Sequence, residues 1–215
     1  AAKLRRAQEA AESGRPYATR MQAIIASLAA KADKSSASEL LVGREVVKTH
    51  LLVIVSADKG LCGGFNGSVA RLAKLEMERL EAEGKSVQVY IIGRKAGDAL
   101  GSAAADRTFA RVEGVQGTNM GFESASEIAS KIIIGFEEKR FDAVSVIFNR
   151  FVNAITQEVT HTSLIPAQID AREEKSDETK MFYDYEPEET EILSALLPRN
   201  LSTQIFSALL ESSAA

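Results

Sequence analysis

The chain is poor in the residues that build reactive or metal-bound centres. Its 215 residues include one cysteine, two histidines, four prolines and no tryptophan, and aromatics make up 6%. A single thiol, Cys62, excludes an internal disulfide framework and a cysteine-rich zinc site. Two imidazoles, His50 and His161, are too few for a histidine-rich metal centre. The expectation is therefore no metal and no cofactor. No apolar run approaches the ~20 residues of a membrane span. The opening AAKLRRAQEA is charged and helix-like, unlike a signal peptide. An excess of positive charge is lacking as well. Lys+Arg total 26 against 30 Asp+Glu, for a net charge of −4, so no whole-chain footprint for nucleic acid exists.

What is present suffices for a packed core. Apolar residues make up 45% and charged residues 26%, which fits one α/β domain with extra helices, or two small domains. Residues 1–33 are alanine-rich. Leu4, Ala7 and Ala11 lead into Tyr17, Met21, Ile24, Ile25 and Leu28 at helical spacing, interrupted by Pro16, which should kink or restart the helix. A rod of this length, about 45–50 Å at 1.5 Å per residue, outgrows a small globular domain and calls for a partner. Its start, with no cap before it, predicts a chain that begins inside a longer helix.

Residues 34–47 read as a polar connector. A βα alternation over residues 48–166 follows. HLLVIVS (50–56) is a continuous apolar run suited to a strand covered on both faces. Asn66 or Ser68 could cap a helix carrying Val69, Leu72, Ala73, Met77 and Leu80 on one face, with Gly84 as its stop. VQVYIIG (87–93) and RTFARVE (107–113) are further strands. Phe122, Ala125, Ile128, Ala129, Ile132 and Phe136 mark another amphipathic helix. FDAVSVIFNRF (141–151) and NAITQEVTHTSLI (153–165) are separated by almost nothing at Val152–Asn153, which predicts an antiparallel hairpin. The fold class is α/β: a Rossmann-like, mostly parallel five-stranded sheet with flanking helices. Residues 167–187 are polar and acidic, read as a loop and exposed foot. Residues 188–215 read as a short helix to Leu197, then a second from Pro198 with Leu201, Ile205, Leu209 and Leu210, which runs on without a stop signal.

The segment SADKGLCGGFNGSVAR (56–71) joins the first strand to its helix, the place where α/β enzymes hold phosphates or nucleophiles. A phosphate-binding loop fails here, because Phe65 and Asn66 stand where glycine and lysine are required. The dinucleotide fingerprint is met only in part, by Gly64 and Gly67 with Cys62 in the first glycine position. Gly60-Leu61-Cys62-Gly63-Gly64 does satisfy the glycine-x-nucleophile-x-glycine elbow. A thiolate there would still need His50 or His161 as base. Against these stands a plain structural turn through Gly60, Cys62, Gly63 and Gly64 with Asn66 capping. Arg94 and Lys95 could meet an anion or form solvated loop charge. Lys3, Arg5 and Arg6 are a solvated face or a contact to an acidic partner.

SADKGLCGGFN (56–66) resembles the signature that follows the first sheet strand in the gamma subunits of F-type ATP synthases. AAKLRRAQEAAESGRPYA (1–18), FNRFVNAITQEV (148–159) and YEPEETEILSALLPRNLSTQIFSALLESSAA (185–215) resemble other parts of that family in the same order, so the likeness spans the chain. The style of sequence is similar to alpha-proteobacterial members. The resemblance implies antiparallel N- and C-terminal coiled-coil helices, both truncated, and a rotor role that couples ion-driven turning of a membrane c-ring to ATP synthesis on the alpha and beta subunits. Epsilon and the c-ring are implied as further partners, with the chain peripheral to the cytoplasmic side of the bacterial inner membrane. Tyr183 and Glu186 align with positions that touch the c-ring. Leu4, Ala7 and Ala11 would face Leu201, Ile205 and Leu209 in the coiled-coil seam. The missing tip predicts a piece that folds and binds epsilon but transmits no torque. The paired cysteines of plant chloroplast members are lacking, which excludes that route of thiol control. By this resemblance the glycine turn is architecture, and ATP chemistry belongs to the beta subunits.

Overall fold

The apolar run that follows residue 48 is the centre of the sheet, because runs buried on both faces must have neighbours on both edges. The computed structural model describes residues 2–30, 38–58, 65–115, 121–153, 155–167 and 187–214. Strand β1 (Thr49–Val55) pairs in parallel with β2 (Ser86–Ile92) on one side and β4 (Ala143–Phe151) on the other. Strand β3 (Thr108–Val112) adds in parallel to β2, and β5 (Gln157–Ile165) adds antiparallel to β4, giving the order β3-β2-β1-β4-β5. The sheet is thus mostly parallel and five-stranded, with flanking helices.

Helix α3 (Phe65–Ala82) buries Val69, Ala73, Met77 and Leu80 against one face with Leu52, Ile54 and Ile147. The opposite face meets α6 (Phe122–Glu137), which contributes Ala125, Ile128, Ala129, Ile132 and Phe136 to a core with Leu51, Val53, Val55 and Val146. Burial of this kind stabilises at roughly 25 cal/mol per Å² of apolar surface. Short helices also occupy connections: α2 (Glu39–Val42) ahead of β1, and α4 (Arg94–Leu100) and α5 (Ser102–Ala105) between β2 and β3 in place of a plain loop. Gly93 makes the turn into α4 with φ +94°, and a Cβ there would fall 2.1 Å from the Ser56 carbonyl oxygen. Only glycine fits.

The β4–β5 connection is longer than the tight turn expected at Val152–Asn153. The Asn153 carboxamide oxygen accepts from the N–H groups of Ile155 and Thr156 (2.9 and 2.8 Å), so β5 starts only at Gln157. Local side-chain hydrogen bonding of this type competes with ladder pairing.

Both prolines expected to break helices lie inside continuous ones. Helix α1 (Ala2–Ala30) runs through Pro16, and α7 (Pro187–Ala214) runs through Pro198. The short helix to Leu197 and the second from Pro198 are therefore one element. Packing explains both cases. Ala11 before Pro16 and Ala18, Met21 and Ile25 after it are buried, and the proline itself is exposed. Leu193 and Leu197 before Pro198, and Leu201 and Ile205 after it, are buried likewise. Tertiary contacts on both sides offset the ~3 kcal/mol that an internal proline costs a helix.

Candidate functional site: a joint between two helices and the sheet

Helices α1 and α7 pack antiparallel. Met21 and Ile25 of α1 cluster with Leu193 and Leu197 of α7, whereas Ala7, Ala10 and Ala11 cluster with Leu210 and Ala214. Rising numbers on one helix meet falling numbers on the other. Small residues line the α1 side of the second cluster, and a Cβ on Gly14 would sit 3.3 Å from Leu210 Cδ1. Such residues let two helix backbones approach closely.

The seam differs from the one read in the sequence. Leu201, Ile205 and Leu209 point into the sheet core with Ala208, Val53 and Val146, while Leu193, Leu197, Leu210 and Ala214 meet α1. Helical geometry supplies the reason. Residues spaced by four advance about 40° per step around a helix of 3.6 residues per turn. The aliphatic stripe Leu193, Leu197, Leu201, Ile205, Leu209 therefore starts against α1 and ends against the sheet. Ala7 and Ala11 do lie on the α1 face toward α7; Leu4 belongs to α1 by its backbone.

A polar joint sits where these layers meet. β1 accompanies β4 only as far as the Ile54–Ile147 pair. Beyond it, the β4 edge has backbone groups in need of partners. Helix α7 supplies them. Glu211 Oε2 accepts from the Phe151 N–H at 2.8 Å, and Ser212 Oγ accepts from the Asn149 N–H at 3.4 Å. Arg15 of α1 closes the arrangement, donating from Nε to Glu211 Oε1 (2.6 Å), from Nη2 to Glu211 Oε2 (2.9 Å), and from Nη2 to the Phe151 carbonyl oxygen. Glu211 is 3% exposed. A carboxylate that deep is tolerable only when paired and hydrogen-bonded, and the two-pronged guanidinium meets that demand. The same bonds, with the charge of Glu211, hold the Arg15 guanidinium even more firmly protonated than usual. Neither residue stood out in the sequence. The one available signal was an acid set among the small and apolar residues of ALLESSAA, and nothing local names its cation.

A second cluster forms on the α3 face. Strand alternation places His50 (β1), Ser145 (β4) and His161 (β5) on that face, and both imidazole Nε2 atoms lie 2.8 Å from Ser145 Oγ. His161 Nδ1 is 3.8 Å from Glu76 Oε2 on α3. One hydroxyl can donate to one nitrogen only, so the other ring must donate to it. The carboxylate beside His161 favours a proton on Nδ1, leaving Nε2 to accept from Ser145 and His50 to donate. Burial pushes His50 down to about 4, helped by the charge of His161, and burial lowers His161 as well. Acid, histidine and serine in series invite comparison with a hydrolase triad. Yet Ser145 is 4% exposed, with a second imidazole on its oxygen. No substrate carbonyl could reach it, so the cluster is core polarity.

Other residues singled out in the sequence are quickly placed. Gly60, Cys62, Gly63, Gly64, Tyr183 and Glu186 lie outside the described residues. Helix α3 begins at Phe65, so Asn66 stands within its first turn rather than ahead of it. Both histidines that could have served the Cys62 thiol as base are committed to Ser145. The Arg94 N–H, at the start of α4, donates to Asp58 Oδ1 at 3.1 Å, and the Gly114 N–H donates to Asp58 Oδ2 at 2.9 Å. Among the described residues no group of three or more His, Cys, Asp or Glu is placed to hold a metal ion, and no helix is long and apolar enough to cross a membrane.

Comparison with known proteins agrees with this architecture. The sequence model of the ATP synthase family matches residues 1–215. The ATP synthase gamma chain of Parvibaculum lavamentivorans is 46% identical over 213 residues, covering 98% of this chain and 72% of that protein. The ATP synthase gamma chain of Jannaschia sp. is 42% identical over 218 residues, covering all of this chain and 74% of its own length. Among solved structures, the central stalk and c-ring of the Tetrahymena thermophila mitochondrial ATP synthase contains a chain similar in fold, with TM-score 0.68 and 24% identity over 99% of this chain and 88% of that one. The rotor of the Euglena gracilis mitochondrial ATP synthase gives TM-score 0.55 at 17% identity, covering 98% and 85%. The chain belongs to the ATP synthase gamma chain family.

Proposed function

We propose that this chain is the central-stalk rotor of an ATP synthase, turning ion-driven rotation of a membrane c-ring into conformational work on alpha and beta subunits. The observation that carries the reading is the antiparallel α1–α7 pair seated on a sheet. In that pair α7 is enclosed by α1 on one side and by the sheet and α6 on the other. Such a pair is a shaft with a base. Its part in the reaction is mechanical, and ATP is made on the beta subunits. A rotor shifts nucleotide affinity at several sites only if its contacts differ from site to site, and an asymmetric two-helix shaft supplies that difference.

Under this reading, the alpha and beta subunits surround the shaft, and epsilon and the c-ring contact the base, the latter through Tyr183 and Glu186. The chain then sits on the cytoplasmic face of a bacterial inner membrane without entering it. Residues 1–33 and 188–215 would be shaft, and residues 48–166 pedestal. Reconstitution of the chain in its complete gamma-chain form with alpha and beta subunits tests the reading. Stimulation of ATP hydrolysis is expected, and hydrolysis equal to that of alpha and beta alone would overturn it. Titration with ATP should give no saturable heat from the isolated chain.

A further inference from the structure

Helix α7 holds the sheet through a broad apolar face of Leu201, Ile205, Ala208 and Leu209. Helix α1 lies outside it; near Glu211 it meets α7 through small side chains such as Ala7, Ala10 and Ala11, and farther along through Met21 and Ile25. Apolar contact resists separation, because exposing the surface is costly, but it is not directional. Shallow alanine ridges offer little resistance to one helix sliding along or around another. Directional resistance needs hydrogen bonds of fixed geometry, and charge-assisted two-pronged pairs are the strongest of these. Arg15 makes such a pair with Glu211, and the same guanidinium donates to the Phe151 carbonyl. The Phe151 N–H then returns to Glu211 at 2.8 Å. Three elements separated by up to 196 positions in sequence thus share one closed hydrogen-bonded loop.

Resting on the rotor reading above, we propose that Arg15 is a positioning residue for rotary coupling. With Glu211 it ties α1 to α7 and both to the end of β4, so that twist applied at the sheet enters the two helices together. Two consequences are distinct from a purely structural role. ATP hydrolysis by the surrounding subunits turns an unloaded shaft and does not need the tie. ATP synthesis sends torque from base to shaft under load and does.

The test uses the intact ATP synthase in inverted membrane vesicles, with these residues carried in a complete gamma chain, comparing wild type with Arg15→Met/Glu211→Leu. The double substitution removes both charges at similar volume, a change that buried ion pairs tolerate, and leaves the Phe151 backbone untied. Expected are normal assembly, hydrolysis close to wild type, and a several-fold fall in both ATP synthesis and protons pumped per ATP hydrolysed. Should the double variant fail to assemble, Glu211→Gln, which keeps shape and a hydrogen-bonding amide, is read by the same synthesis-to-hydrolysis ratio and should lower it. A wild-type ratio in whichever variant assembles overturns the proposal. Failure of the complete gamma chain without substitutions to support coupled synthesis would instead overturn the rotor reading itself.

Discussion

On one face of the sheet, α3 buries Val69, Ala73, Met77 and Leu80 and leaves Arg71, Lys74, Leu75, Glu78 and Arg79 exposed. On the other face, α7 has no exposed residue from Asn200 to Ala214. One helix ends the protein at water and the other lies within it. Their sequences differ accordingly. Apart from Leu75, the α3 sequence separates apolar from charged positions, as a helix with one partner should. The α7 sequence spreads Leu, Ile and Ala around the whole circumference and fills the remainder with Asn200, Ser202, Thr203, Glu211 and Ser212. Several of these turn inward on their own helix: Thr203 Oγ1 donates to the Arg199 carbonyl at 2.8 Å and Ser202 Oγ to that of Pro198 at 3.2 Å. A weakly amphipathic helix with satisfied polar groups is the mark of an element with partners on several sides.

The comparison can be broken most forcefully on the α7 side. Ile205, fully buried between helix and sheet, should cost about 4 kcal/mol when cut to alanine, the range for an aliphatic core truncation. Urea unfolding of the purified chain would measure it, and a loss under about 1 kcal/mol would mean that α7 is not seated as described. An intermediate effect is expected from acid on the α3 face. His50, beside His161, Glu76, Arg79 and Lys85, is held at about 4 against an ordinary 6.5. The folded chain therefore binds fewer protons than the unfolded one across that interval, so stability rises with pH through it and is lost as pH falls from 6.5 toward 4. The loss should amount to roughly 2–3 kcal/mol, and His50→Gln should flatten the pH profile of the urea midpoint. The smallest effect belongs to Leu75, on the solvent side of α3 and 56% exposed. Leu75→Ala should leave stability within about 0.5 kcal/mol, visible as an unchanged melting temperature.

The strands and the one-faced helices were legible because their signals are local. HLLVIVS and VQVYIIG carry enough consecutive apolar residues to demand burial on both faces, and the stripes of α3 and α6 repeat at the helical period. The close succession of β4 and β5 forbids a crossover, so their antiparallel pairing could be read as well. The extent of their turn could not, since it rests on how Asn153 folds back onto Ile155 and Thr156. At the joint, small residues on α1 were visible, but the α7 face that meets them was not. A spacing of four reads as a stripe whichever way it drifts, and only the packed neighbours decide where Leu193 and Leu209 each point.

The sequence by itself determined the mostly parallel sheet, the helical character of both terminal segments and the scarcity of cysteine and histidine, because composition and periodicity act over a few turns of chain. Tertiary structure alone decided that helices run through Pro16 and Pro198, that His50 and His161 meet on Ser145, and that Arg15 finds Glu211. Each of these is a bargain among residues remote in sequence. Its energy comes from contacts made after the chain has closed, so no local pattern contains it.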